Sequence, residues 1–346
     1  MRLKKEIKEA HRNTSRSEKK DLITTWTGQE FYPDKDELAD VFALIFRTRG
    51  CSWSYESGCS MCGYYTQTNP EIGKKELEIQ LEEAIKKYED QEIVKIYTSG
   101  SFFDSQEMPD ELAEKILERF GAKAEKIIVE SRPEYIEQKR VEDYSRYVNT
   151  LEVAIGLESA DDFILKNCIN KGFTYDDYRK SAEKISDYAS IRTYLLMKPP
   201  FLLEKEAIEE MIRSIEKISE ITDIISINPV NVQNGTLLEK LWHEGTYRPP
   251  RLWSIIEVLS RAESEKPIVV SQAGLGSDRG AHNCGECDEV VLEKIENYNK
   301  TQNESKFDPL PDCGCRERWK KEMKIEPFLF FRGSTRTLRD RYTGYL

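Results

Sequence analysis

No apolar run in the 346 residues approaches the roughly 20 needed to cross a bilayer. The charged lead, 1–20, lacks the apolar segment of a secretory signal. Both absences fit a cytoplasmic chain with no membrane partner. Histidine is scarce, with three in all, so an imidazole-based metal site or proton relay has little to draw on. Only His243 and His282 fall in segments that pattern as ordered, and neither has a readable role. No phosphate loop is present, and no Gly-x-Gly-x-x-Gly follows a strand; Gly274-Leu275-Gly276 is too short and has no helical pattern after it. A net positive charge is lacking too. At −11 the chain is not a generic nucleic-acid binder.

The charge is unevenly spread. Residues 1–20 carry a local +5 and residues 316–346 another +5, which leaves −21 on the acidic body between them. Basic ends of this kind either stay solvated or dock phosphates. Hydrophobic content of 38%, with 17 Tyr and 13 Phe, is enough to build the core of one large domain or two ordinary ones. Eight cysteines in a reducing compartment point to metal ligation rather than disulfides. Seven of them lie in two groups. Cys168 stands alone and reads as a buried bystander.

Between 41 and about 242, short apolar runs alternate with amphipathic stretches. The runs at 41–47, 93–97, 126–130, 151–157, 191–197 and 224–227 predict buried strands. The stretches between them show helical spacing, as in Leu77, Leu81, Ala84, Ile85 and Tyr88, or Leu112, Ile116, Leu117 and Phe120. Residues 24–40 look irregular, with Gly28 and Pro33 as breakers, and 267–270 is a candidate further strand. Six strand–helix units make a parallel α/β sheet with right-handed crossovers. Polar and small residues collect after the carboxyl ends of these strands, where barrel enzymes assemble their sites. The expected fold is therefore a partial (β/α)6 TIM-like barrel over 41–265. A basic lead, 1–40, precedes it. A small cysteine-rich extension, 266–346, follows.

The first cysteine group, Cys51, Cys59 and Cys62, follows the first strand of the barrel. Three thiolates are one short of the four that close a structural site. They would hold either a zinc completed from a distance or an Fe–S cluster with an open iron. The second group pairs Cys284 with Cys287 and Cys313 with Cys315, each pair enclosing a glycine. Four such thiols suit structural zinc, or an auxiliary Fe–S cluster. His282 lies beside them as a bystander.

Together these residues resemble the radical S-adenosylmethionine (SAM) superfamily. The likeness covers about 41–265. It rests on the Cys51/Cys59/Cys62 triad, on Thr98-Ser99-Gly100-Ser101 after the second strand, and on the 151–159 stretch LEVAIGLES. That stretch, with Asn234-Gly235-Thr236 and Tyr247-Arg248-Pro249-Pro250, is similar to the branch containing Elongator's catalytic subunit. Arg47-Thr48-Arg49-Gly50-Cys51, the 57–64 stretch SGCSMCGY, Glu130-Ser131-Arg132-Pro133 and the C-terminal cysteine pairs resemble the archaeosine synthase radical-SAM subunits. The spacing departs from the superfamily's common C-x3-C-x2-C, being C-x7-C-x2-C here. Met61 stands where an aromatic often lies by the adenine, a role open to Tyr64. The acetyltransferase domain of Elongator's subunit has no room in the roughly 80 residues from Pro267 on.

The resemblance implies a 4Fe-4S cluster on Cys51, Cys59 and Cys62, with SAM on its open iron and zinc on the C-terminal four. It implies SAM contacts from Ser99, Gly100, Ser101, Arg132 and Glu158. The implied reaction is C–N cleavage of a lysine adduct on 7-deazaguanine at nucleotide 15 of tRNA, through a 5′-deoxyadenosyl radical. The implied partners are tRNA, the archaeosine synthase alpha subunit that attaches the lysine, and an electron donor. The basic ends then serve as phosphate contacts, and Phe328, Phe330 and Phe331 beside Arg332 as base-stacking candidates. Two alternatives remain at this level: a radical SAM enzyme acting on a protein or small molecule, and a non-enzymatic zinc protein that binds nucleic acid.

Overall fold

The computed structural model describes residues 2–329. Its first paired strands lie where the sequence suggested irregular chain. Strand β1 (Thr24–Tyr32) turns back antiparallel onto β2 (Glu37–Ile45). Gly28 is no breaker: it sits within β1 opposite Val41, in open space. The hairpin was hidden because β1 is an edge strand with many exposed polar residues, so it carries no apolar run.

From β2 onward every neighbour is parallel. The strands β3 (Ile93–Tyr97), β4 (Lys126–Ser131), β5 (Thr150–Glu158), β6 (Ser190–Met197), β7 (Ile224–Pro229) and β8 (Ile268–Val270) follow in chain order. The sheet order runs from β1 to β8 without those two strands pairing. The result is the expected partial barrel, extended by a hairpin strand at one edge and by the short β8 at the other.

The helices follow the sequence pattern. After a basic α1 (Arg2–Arg12), they are α2 (Lys74–Ile85), α3 (Asp110–Gly121), α4 (Gln138–Tyr144), α5 (Tyr175–Ile185) and α6 (Glu204–Ile218). Then come α7 (Leu237–His243), α8 (Leu252–Arg261), α9 (Asp288–Thr301) and α10 (Gly314–Leu329). Side chains alternate across each strand. Phe42, Leu44, Val94, Ile96, Ile127 and Val129 join the helices in the main core. Val41, Ala43, Ile93, Ile128 and Ala154 face the barrel lumen instead. Both faces being covered is why the parallel strands read as continuous apolar runs. No described helix is long and apolar enough to cross a membrane.

The base of the lumen is ionic. Arg192 pairs with Glu30 at 2.5 Å and with Glu152; Lys95 pairs with Glu30, and Lys126 with Glu152 at 3.2 Å. Burial alone would raise the Glu30 carboxyl, but Arg192 and Lys95 outweigh it and hold it at about 2. Glu152 is fully buried between two cations. Glu152→Ala should therefore destabilise the fold by about 3–5 kcal/mol, because it strands Lys126 and Arg192 in the interior. Urea unfolding at neutral pH measures this. In the wild type, the stability contributed by Glu30 should be present above its ordinary carboxyl value of 4.5 and disappear as pH falls toward 2.

Candidate active site and a second cysteine centre

Chain leaving β2 turns at Gly50, where φ is +99° and a Cβ would strike Thr68, and then presents Cys51. The seven residues before Cys59 are taken up by a single helical turn, Ser52–Glu56, closed at Gly58 with φ +74°. The segment after β5 holds this loop in place. Asn170 donates from Nδ2 to Ser57 Oγ at 2.9 Å and to the Gly58 carbonyl at 2.6 Å. Ser60 donates from its backbone N–H to the Ile169 carbonyl at 2.8 Å and from Oγ to that of Cys168 at 2.7 Å. Trp53 Nε1 donates to the Asn170 carbonyl at 2.9 Å. The long C-x7-C spacing is thus built structure, and the lone Cys168 is buried beneath it.

The loop after β3 presses against the first thiol. A Cβ on Gly100 would lie 2.6 Å from Cys51 Cα and 2.8 Å from its Cβ, so only glycine permits this approach. Glu107, which sequence reading missed, holds that loop. Its carboxylate accepts from the N–H groups of Ser99 at 3.0 Å and Ser101 at 2.8 Å, and from Thr48 Oγ1 at 2.6 Å. Burial pushes its carboxyl up to about 7 against those hydrogen bonds. Ser101 Oγ lies 2.7 Å from Ser131 Oγ at the end of β4.

Arg132 follows β4. Its Nη1 lies 3.4 Å from Cys51 Sγ and 3.5 Å from Ser52 Oγ; it also pairs with Glu134. Glu158 closes β5 at a register shift, with a left-handed φ of +74° unusual for a non-glycine residue. That turn sends its carboxylate to Lys171 Nζ, 2.8 Å away. Glu130 was named in sequence only as part of a motif. Burial pushes its carboxyl up to about 8; the Tyr194 hydroxyl opposes this, and the charges of Glu158 and Glu107 add to it. Tyr64 stands at the mouth, 57% exposed.

Burial pushes the Cys59 thiol up to about 11 and the Cys62 thiol to about 12, and the charge of neighbouring triad thiolates adds to both. Metal binding displaces such thiol protons. Three thiols, one short of a closed four-thiolate site, with a glycine loop against one of them and the cations Arg132 and Lys171 alongside, fit a multi-iron cluster with an open position for a zwitterionic ligand.

The second group is compact. Sulfur–sulfur distances are 3.6 Å for Cys284–Cys313, 3.9 Å for Cys284–Cys287 and 3.5 Å for Cys287–Cys315. A tetrahedron with metal–sulfur bonds of about 2.3 Å has edges of about 3.8 Å, so these four thiols fit one ion. Asp288 accepts from the N–H groups of Asn283, Cys284 and Gly285 and fixes the knuckle. Trp253 Nε1 on α8 donates to Cys315 Sγ at 3.1 Å. His282 binds the Gly280 carbonyl and stays outside the set. His11, which sequence reading left without an ordered setting, lies in α1 against Tyr65 and the cysteine loop. Phe330, Phe331 and Arg332 fall outside the described residues, as does the side chain of Phe328.

A curled parallel sheet with three cysteines at the carboxyl end of its first parallel strand, and a glycine loop packed on them, defines a radical SAM enzyme. The model of the radical SAM superfamily matches residues 45–215. The archaeosine synthase subunit beta of Methanosarcina acetivorans is 39% identical over 317 residues, 88% of this chain and 91% of the relative. That of Thermococcus kodakarensis is 38% identical over 313 residues, 86% of this chain and 95% of the relative. A solved structure of Methanocaldococcus infernus Elp3 shares the fold at a TM-score of 0.50 and 18% identity, over 75% of this chain and 63% of that one. Within the radical SAM superfamily, the chain belongs to the archaeosine synthase subunit beta family.

Gly100→Ala should keep the overall helix content but lower the unfolding midpoint and abolish stable cluster assembly, because the added Cβ displaces the loop or Cys51. Iron and sulfide content after anaerobic reconstitution checks this; a full complement of both in the variant would contradict the contact described.

Proposed function

We propose that this chain is the radical SAM subunit of an archaeosine synthase. It cleaves the C–N bond of a lysine adduct on 7-deazaguanine at nucleotide 15 of tRNA. It works in the cytoplasm with the subunit that attaches the lysine and with an electron donor. The observation that carries the reading is identity of 38–39% over at least nine-tenths of two archaeosine synthase beta subunits, joined to the three-thiol loop.

In this reading Cys51, Cys59 and Cys62 ligate a 4Fe-4S cluster. When bound and reduced, that cluster and SAM supply a 5′-deoxyadenosyl radical. The chain binds and orients. Gly100 lets the backbone of Ser99 and Ser101 approach the SAM methionyl group. Arg132 meets its carboxylate, for which the guanidinium fork is suited. Glu158, held by Lys171, takes the amino group or ribose. Glu107 keeps the Ser99–Ser101 loop in register. The tight packing of these loops keeps water from the reacting carbon.

The C-terminal four thiols hold structural zinc. Their edge lengths support this metal over a cluster, whose thiol ligands stand farther apart. The zinc ties the knuckle before α9 and the start of α10 to α8, through Cys315 and Trp253.

Anaerobic protein should therefore contain four irons per cluster and one zinc per chain. Cys51→Ala/Cys59→Ala/Cys62→Ala should lose the iron and keep the zinc; Cys284→Ser should do the reverse and lower the unfolding temperature. With reductant and SAM, 5′-deoxyadenosine should rise with tRNA carrying the lysine adduct and not with unmodified tRNA. No rise with the modified tRNA, with the partner subunit present, would overturn the assignment.

A further inference from the structure

Helix α1 is more than a solvated basic terminus. Leu3 and Ile7 are buried against Leu237, Leu238 and Leu241 of α7. Full burial of such side chains contributes about 2 kcal/mol each, which fixes the helix to the body. Glu6, on its flank, pairs with Lys240 of α7 at 3.0 Å.

The outward side is different. Lys4, Lys8 and Arg12 recur every four residues, and Lys5 lies beside them; all four are exposed. Among the described residues none of the four has an acidic partner within 4 Å. Glu9 is the acidic residue on the same side. A like-charged i,i+4 ridge destabilises a helix, by a few tenths of a kcal/mol per pair. The fold holds this ridge rigid and leaves it unneutralised. Its cations are spaced about 6 Å apart along the axis, a rise of 1.5 Å per residue. That gives a straight row of positive charge on a body that is otherwise strongly acidic.

The row abuts the three-thiol loop. Lys4 Nζ lies 5.3 Å from the centre of the Trp53 ring, between Cys51 and Cys59. Just past the helix, Arg16 stacks over Tyr55 at 4.0 Å and donates to Ser54 Oγ at 3.0 Å and to Thr68 Oγ1. His11 packs on Tyr65 at 4.1 Å and against Gly58. A polyanion lying on α1 is therefore beside the loop that carries the reactive centre.

We infer that the Lys4–Lys5–Lys8–Arg12 face of α1 is the surface on which the tRNA sugar–phosphate backbone docks, with its modified base presented to the adjoining site. This rests on the tRNA reading above and adds where the nucleic acid lies. Backbone contacts of this kind carry affinity and register, not sequence.

The test is filter binding of a tRNA transcript across a salt series, with the partner subunit present and absent. In Lys4→Gln/Lys5→Gln/Lys8→Gln/Arg12→Gln, the slope of log affinity against log salt should fall by about one per phosphate-contacting residue removed. Affinity near 0.15 M salt should fall about tenfold or more. The charge-keeping Lys4→Arg/Lys5→Arg/Lys8→Arg/Arg12→Lys should bind like wild type. So should Lys180→Gln/Lys184→Gln, on the exposed side of α5. Iron content and unfolding midpoint show that each variant folds. Wild-type binding with an unchanged slope in the α1 glutamine variant would overturn this surface and leave the tRNA reading standing. Wild type that binds no tRNA would overturn both.

Discussion

The architecture turns on one close contact, the backbone of Gly100 against Cys51. Two parallel neighbours, β2 and β3, deliver those residues from their carboxyl ends, and their register sets how near the loops come. With no Cβ at Gly100, the β3 loop can lie against the first thiol and leave its N–H groups under the control of Glu107. That carboxylate is costly to bury, as its upward shift to about 7 shows. The fold accepts the cost because two backbone N–H groups and a hydroxyl would otherwise lose their acceptor, and with it the shape of the loop.

The same logic explains what could be read from sequence. Cysteine spacing and apolar runs are local signals, so the triad, the four-thiol set and the strand–helix alternation were legible. Glu107 was not, because its meaning comes from contacts to Thr48, Ser99 and Ser101 made across two loops. Asn170 was equally hidden: its amide bonds residues more than a hundred positions away. The β1 hairpin was missed because an edge strand exposes its polar residues. Lys95, Lys126, Glu152 and Arg192 sat inside runs counted as apolar, and only the closing of the sheet shows that each charge meets its opposite.

The two cysteine centres differ in how much of their geometry the protein must supply. Four thiols, three of their separations at 3.5–3.9 Å and all within 4.8 Å, already outline a compact donor set, and Asp288 fixes its knuckle from the N-terminus of α9. A single ion there would join segments separated by some thirty residues and need no further ligand. The triad offers three thiols, and its loop is shaped by hydrogen bonds to 168–170 and by contacts with α1.

Those supports also place the cysteine loop next to α1. The loop is flanked on one side by the segment after β5, with Lys171 paired to Glu158, and on the other by α1, through Lys4 over Trp53, and by Arg16 just past the helix, over Tyr55. A basic ridge on an acidic body also orients a polyanion, because repulsion from the acidic surface favours approach along the ridge. Charge that looks wasteful for folding is thus best placed where it can bring a nucleic acid to the open face of the barrel.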